Sequence, residues 1–179
     1  MKRTHVLFAI AVLIVIFFGR KALGQPAEES VTLGSIELRL GMAEGIVLER
    51  LGEKYDVSEY GRGPYSVWWV REKVKPSRLV GSLGFKEGKL NTVMKYWTPE
   101  DTPDTRVGFA NSLFSALRAF EREGRASCTI STGDQQVSKY DMKAVFISCG
   151  QKYLRIDITK GETGDSANVT EVLEAPKTN

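Results

Sequence analysis

The chain has 179 residues, with 25 Lys and Arg against 22 Asp and Glu, one His and two Cys. At this length a folded chain buries roughly 70% of the surface its unfolded form exposes, and a charged fraction of 26% is that of an ordinary globular protein. Collagen, continuous coiled coil and wholesale disorder are excluded, and the length suits one domain or two small halves.

Residues 1–24 read as an address. Lys2, Arg3 and His5 form a basic start, residues 6–18 are an unbroken apolar run, and Ala22-Leu23-Gly24 supplies small residues at −3 and −1 of a cleavage before Gln25, the pattern of a cleaved secretory signal peptide. The alternative is an uncleaved anchor. Thirteen helical residues cover only about 20 Å of a bilayer core about 30 Å thick, but Arg20 and Lys21 after the run supply charges that can snorkel to the interface. The expected location is therefore periplasmic or extracellular, or membrane-anchored and facing outside the cytoplasm. A membrane is a partner only if residues 6–18 stay attached.

Without residues 1–24 the balance is 21 bases against 22 acids, a net charge of −1. Nucleic-acid binding, which needs clustered phosphate-neutralising charge, is not expected. His5 leaves with the same segment. The remainder has no histidine, which excludes Ser-His-Asp and Cys-His nucleophile activation and His-ligated zinc. No cofactor and no metal site are expected, and an enzyme is not the first reading.

Residues 25–34 read as a polar linker containing Pro26. Residues 35–40 alternate Ile36, Leu38 and Leu40 with polar partners and lead into a short helix over 41–52, which Gly52 closes as a left-handed cap. A loop rich in Gly and Tyr spans 55–63. Residues 65–72, dense in aromatic and β-branched side chains, read as a strand. Two more strands, 79–86 and 89–97, flank Glu87-Gly88; a two-residue turn there sets Phe85 opposite Leu90 and Leu83 opposite Thr92.

The second half opens with turn formers over 98–105. Thr102 before Pro103 suits a helix start, and Val107, Ala110, Phe114, Leu117 and Phe120, with Leu113 beside them, predict a buried helix face ending at Gly124. Strands follow at 125–132, 142–149, 151–159 and 168–174. A Gly150-Gln151 turn sets Ile147 opposite Leu154 and Val145 opposite Ile156. Placing Cys128 opposite Cys149 also aligns Ile130 with Ile147 and Thr132 with Val145, so one register serves both the apolar face and a disulfide. Export favours the bridge; buried thiols or a redox role are the alternatives. Closing a loop of this size stabilises by about 3 kcal/mol in the chain-entropy model. The fold class is α+β, an antiparallel sheet with helices packed on one face. The order divides the chain into a helix-plus-hairpin module over 35–97 and a helix-plus-strands module over 98–179, possible tandem units on one sheet.

Leu40-Gly41-Met42 opening a helix, Leu51-Gly52 closing it, and the hairpin from Gly84 to Val93 resemble the SmpA/OmlA (BamE-like) envelope module and the related β-lactamase-inhibitor-protein-like fold. The resemblance covers roughly residues 36–97. It implies a small exported α+β domain whose antiparallel sheet binds another protein. The lipid-bearing cysteine of many envelope members is absent here, and Glu53 stands where a proline usually follows the Leu-Gly pair.

Trp68 and Trp69 are adjacent on a strand and point to opposite faces. Tyr65, Tyr96 and Trp97 join the outward tryptophan as a candidate partner-binding patch, the composition of interface hot spots; the alternative is that all five belong to the core. Catalysis by acids alone would draw on Glu100, Asp101 and Asp104, although acids are expected at a helix start for electrostatic reasons. Residues 159–166 read as a flexible polar turn, and Asn168-Val169-Thr170 is a glycosylation triplet that matters only in a eukaryotic source. The expected function is an exported, non-enzymatic domain that binds a protein or envelope partner through a sheet face. A membrane-anchored accessory domain and an acid-based hydrolase are the alternatives.

Overall fold

The computed structural model describes residues 29–61, 66–97, 105–123, 127–137, 140–161 and 164–176. It is sheet-dominated. In chain order the elements are β1 (Ser30–Leu33), β2 (Ile36–Arg39), α1 (Glu44–Gly52), β3 (Tyr55–Tyr60), β4 (Ser66–Glu72), β5 (Leu79–Lys86) and β6 (Lys89–Tyr96). The second half supplies α2 (Thr105–Arg122), β7 (Thr129–Val137), β8 (Tyr140–Cys149), β9 (Lys152–Gly161) and β10 (Gly164–Glu174). β1 and β2 form a small hairpin, and the other eight strands form one antiparallel sheet in the order β3-β4-β5-β6-β10-β9-β8-β7. Each half is thus a helix followed by a four-strand meander, and the two meanders meet where β6 pairs with β10.

The hairpins follow from local chemistry. Glu87 and Gly88 both have positive φ, the requirement of a two-residue turn whose twist matches its strands. Phe85 lies opposite Leu90 as expected, but the register then shifts, so Leu83 faces Val93 and Thr92 faces Gly84. A bulge absorbs Asn91, and without it the fully buried Val93 would point to the opposite face. At the other tight turn Gly150 has φ 70°, and both expected pairs form, Ile147 with Leu154 and Val145 with Ile156. The Cys128–Cys149 disulfide is present with its Cα atoms 4.4 Å apart, and β7 and β8 pair Ile130 with Ile147 and Thr132 with Val145.

Several elements differ from the sequence reading. Residues 30–33, assigned to the linker, are β1, because Val31 and Leu33 are buried and alternate with polar neighbours. The expected loop over 55–63 contains β3, a polar edge strand that pairs with β4 along its whole length. Gly52 is not a left-handed cap: α1 ends with Glu53 still in the right-handed region. Of the expected polar turn over 159–166, residues 159–161 and 164–166 are paired strand, with Lys160 opposite Asp165 and Gly161 opposite Gly164, and residues 162–163 lie outside the described residues.

Two apolar clusters lie on one face of the large sheet. Val70, Leu83, Phe85, Val93 and Leu173 receive α1 through Val47 and Leu51, and the small hairpin through Val31, Leu33 and Leu38. Gly81 belongs to this contact, since a Cβ there would lie 2.5 Å from the Met94 carbonyl oxygen and 3.1 Å from the Leu33 side chain. The second cluster packs Ala116 and Phe120 of α2, with Phe109 and Leu113, on Cys149, Leu154 and Val169. The expected face of α2 is therefore rotated. Val107, Phe114 and Leu117 are exposed, because the helix carries two adjacent apolar stripes and the sheet selects the one through Phe109, Leu113, Ala116 and Phe120.

Between the clusters lies a buried charge hub. The Lys152 ammonium, 1% exposed, sits 2.6 Å from carboxylate oxygens of both Glu171 and Glu123 and donates to the Ser30 carbonyl at 3.0 Å. The other Glu171 oxygen accepts from Trp97 Nε1 at 3.1 Å and lies 3.5 Å from the Lys95 ammonium. Such a cluster costs desolvation and persists because each charge is paired. It ties β1, α2 and the central strands β6, β9 and β10 together.

Candidate functional site

The register assigns every strand residue to one of two faces. The face opposite the helices collects Tyr60 of β3, Trp69 and Arg71 of β4, Ser82 of β5, Met94 and Tyr96 of β6, Thr170 and Val172 of β10, Tyr153, Arg155 and Asp157 of β9, and Phe146 of β8. In an antiparallel sheet such side chains stand in rows across neighbouring strands. Tyr60 and Trp69 stack with ring centroids 4.0 Å apart and planes 13° from parallel, and the Arg71 guanidinium lies 5.3 Å from the Trp69 ring centre. Ser82, opposite Trp69, has its Oγ 3.2 Å from the Tyr96 hydroxyl, which links the tryptophan row to the centre of the sheet.

At that centre, where the two meanders join, is a cavity of about 340 Å³ whose wall includes Tyr96, Tyr153, Met94 and Leu79. Leu79 reaches this face because a second bulge sets it opposite Arg71 while Gly81 stays opposite Val70. The floor is polar. Arg155 Nε lies 3.1 Å from Asp157 Oδ1, Asn168 Nδ2 donates to Asp157 Oδ2 at 3.4 Å, and an Arg155 terminal nitrogen reaches the Met142 sulfur at 3.1 Å. Burial raises the Tyr153 hydroxyl above its ordinary pKa, and the nearby Glu174 charge adds to the effect; the ring packs tilted against Phe146 with centroids 6.1 Å apart. The result is a neutralised polar floor between aromatic walls, suited to hold an inserted side chain.

The sequence-predicted patch is only partly assembled. Trp69 and Tyr96 share the open face. Trp68 turns to the other side and packs against the first apolar cluster. Trp97 is likewise on the helix side, packed against the second cluster, with the Lys95 ammonium 3.8 Å from its ring centre. Tyr65 lies outside the described residues, as do Glu100, Asp101 and Asp104. The structure adds Tyr60, Phe146 and Tyr153. Their signal was alternation: each lies on a strand that pairs in register with a row already holding Trp69 or Tyr96.

Burial lowers the Lys95 pKa, opposed by the Glu171 charge beside it. The hub's carboxylates and ammoniums are consumed by one another on the helix side, away from the open face. Among the described residues no group of three or more His, Cys, Asp or Glu side chains is placed to hold a metal ion, and no helix is long and apolar enough to cross a membrane. Asn168 of the glycosylation triplet is half-buried on β10, between strands β6 and β9. The chain matches no family model, no curated protein and no solved structure, so its likeness to the SmpA/OmlA module rests on the residues that suggested it.

Proposed function

We propose that this chain is an exported, non-enzymatic binding domain in which two tandem helix-plus-strands modules share one sheet and engage a protein or envelope partner through the helix-free face. The observation that carries this reading is the set of aromatic side chains Tyr60, Trp69, Tyr96, Tyr153 and Phe146 on that face, of which Tyr96 and Tyr153 line the central cavity. Core packing occupies the other face. Aromatic side chains that present wide apolar area with few rotatable bonds are what interface anchors need. The disulfide supports an oxidising compartment.

The test is retention of partners by the immobilised full chain from the envelope and secreted fractions of its own cell, beside Trp69→Ala and Tyr153→Ala variants of matched melting temperature. A protein held by the wild type and lost from both variants supports the reading. Equal retention by all three, or no specific retention, overturns it.

A further inference from the structure

The cavity on the helix-free face follows from the lengths of the side chains around it. In register across three strands, Met94 of β6, Val172 of β10 and Tyr153 of β9 form one row, and Tyr96, Thr170 and Arg155 form the next. A further row sets Asn168 of β10 opposite Asp157 of β9. The middle strand therefore presents the short side chains Val172 and Thr170, while each flanking strand carries a tyrosine that lines the cavity. β6 and β9 stand two strand spacings apart, about 9.6 Å, which leaves room for a six-membered ring between the tyrosine-bearing strands. The volume of about 340 Å³ lies at the small end of ligand sites.

The lining selects a ligand class by exclusion. Arg155 and Asp157, the cation and the anion of the wall, lie 3.1 Å apart, so a charged ligand meets a repelling group beside each attracting one. A wholly apolar ligand would cut off the buried Asp157 and Thr170 from water without replacing its hydrogen bonds, which is unfavourable. What remains is a neutral ring with polar edges and an apolar face. A pyranose sugar has both, because its C–H face packs on aromatic rings and its neighbouring hydroxyls match the paired polar atoms of planar side chains. Tyr96 and Tyr153 supply the aromatic surface. Asn168 spends one amide N–H on Asp157 at 3.4 Å, and a primary amide carries a second N–H and an acceptor besides. At its other end the wall turns apolar through Leu79, Met94 and Val172, which suits the methyl of an acetamido group.

We propose that this cavity is a sugar subsite whose ligand is a neutral, N-acetylated pyranose. The inference rests on the reading of the helix-free face as the binding surface and narrows it to what enters the cavity. The hydroxyls of the sugar pair with Asn168, Asp157 and Thr170, its C–H face lies against a tyrosine ring, and its acetamido methyl meets the apolar end. Tyr60 and Trp69, on β3 and β4, are outside the cavity wall and touch only what extends beyond the bound ring.

The chain as its own cell delivers it, isotope-labelled for NMR, is titrated with diacetylchitobiose. Maltose serves as the neutral disaccharide without acetamido groups, and digalacturonate as the charged one. Diacetylchitobiose gives saturable shifts confined to the amides of β6, β9 and β10 around Tyr96, Tyr153 and Asn168, maltose binds at least about 10-fold more weakly, and digalacturonate does not bind. Asn168→Leu, close in volume but without the amide, weakens diacetylchitobiose binding at least about 10-fold. Tighter binding of the hexasaccharide of the same sugar marks a polymeric glycan as the source, and equal affinity marks a free sugar. The absence of a saturable shift, a shift map away from the cavity, equal binding of maltose, or full affinity in a folded Asn168→Leu overturns the proposal. The wild-type shift map decides even if the variant does not fold. A partner protein held through Trp69 and Tyr153 without any diacetylchitobiose binding assigns the cavity to an inserted side chain, which overturns the sugar site and leaves the binding face standing. Cavity shifts with diacetylchitobiose while both alanine variants keep every partner support the sugar site and remove the protein partner from that face.

Discussion

The rings of Tyr60 and Trp69 stack at 4.0 Å on the helix-free face, while Trp68, one residue earlier, sits against the first apolar cluster. Adjacent tryptophans on one strand therefore separate in consequence. Trp69→Ala removes a stacked surface pair and is expected to cost about 1 kcal/mol, whereas Trp68→Ala opens a void in the core and costs about 3 kcal/mol. Trp68 Nε1 is buried with no hydrogen-bond partner among the described residues. Trp68→Phe removes that donor along with part of the ring, so its cost stays below about 1.5 kcal/mol. Urea unfolding of the three variants checks the order. A Trp69→Ala loss equal to that of Trp68→Ala would show that the open face is packed.

Lys152 is buried deeper than either of its acidic partners. Among the described residues, Lys152→Met leaves Glu171, 4% exposed, with Lys95 and the Trp97 N–H, and a loss of about 3 to 5 kcal/mol is expected because a buried charge has lost its main counter-ion. Adding Glu171→Gln removes the stranded charge. The double variant is then more stable than the sum of the single losses predicts, and a double-mutant cycle measures that coupling. Strict additivity would mean that the hub is not a connected network.

The second half was legible where two constraints agreed. Cys128 with Cys149 and Ile130 with Ile147 demand one register, and β7 and β8 adopt it. The bulge at Asn91 was not legible, because an unbroken hairpin also aligns apolar faces near its turn and only the burial of Val93 distinguishes the two registers. β3 is hard to read from the sequence because its core-facing row is only Tyr55 and Val57 before Glu59 interrupts it, and pairing with β4 along its whole length completes the strand. On α2 the stripe through Val107, Phe114 and Leu117 reads as well as the one that is buried, and a sequence period cannot say which stripe meets the sheet. The candidate site divided in the same way. Alternation separates Trp68 from Trp69, but it does not say which side the helices cover, and Trp97 lies on the helix side because its pairing with Val169 fixes its face.

The disulfide closes a loop between residues 21 apart in sequence at the edge of the sheet. Cys128→Ala with Cys149→Ala is expected to lower stability by about 3 kcal/mol through the greater freedom of the unfolded chain. Cys149 is 2% exposed and packs under α2, so part of the loss is packing. Reduction of the wild type with the sulfurs retained separates the two: a smaller loss on reduction than on double substitution measures the packing share. No change in the melting temperature with reductant would show that the bridge contributes nothing to stability.

Two groups on opposite faces of the sheet give stability an alkaline dependence of both signs. Lys95 has its pKa lowered below the ordinary 10.5, chiefly by burial. Between its folded value and 10.5 the unfolded chain binds the proton more tightly than the folded one, so stability rises with pH across that window. Tyr153 has its pKa raised above the ordinary 10.0, again chiefly by burial. Above 10.0 the unfolded chain loses the phenolic proton first, so the Tyr153 contribution falls as pH increases toward its folded value. Urea midpoints taken from pH 8 to about 11 should therefore rise and then flatten or turn down. Lys95→Met removes the rise and Tyr153→Phe removes the downturn, each leaving the other limb in place. A rise that survives Lys95→Met would place the titrating group elsewhere and remove Lys95 from the account of the hub.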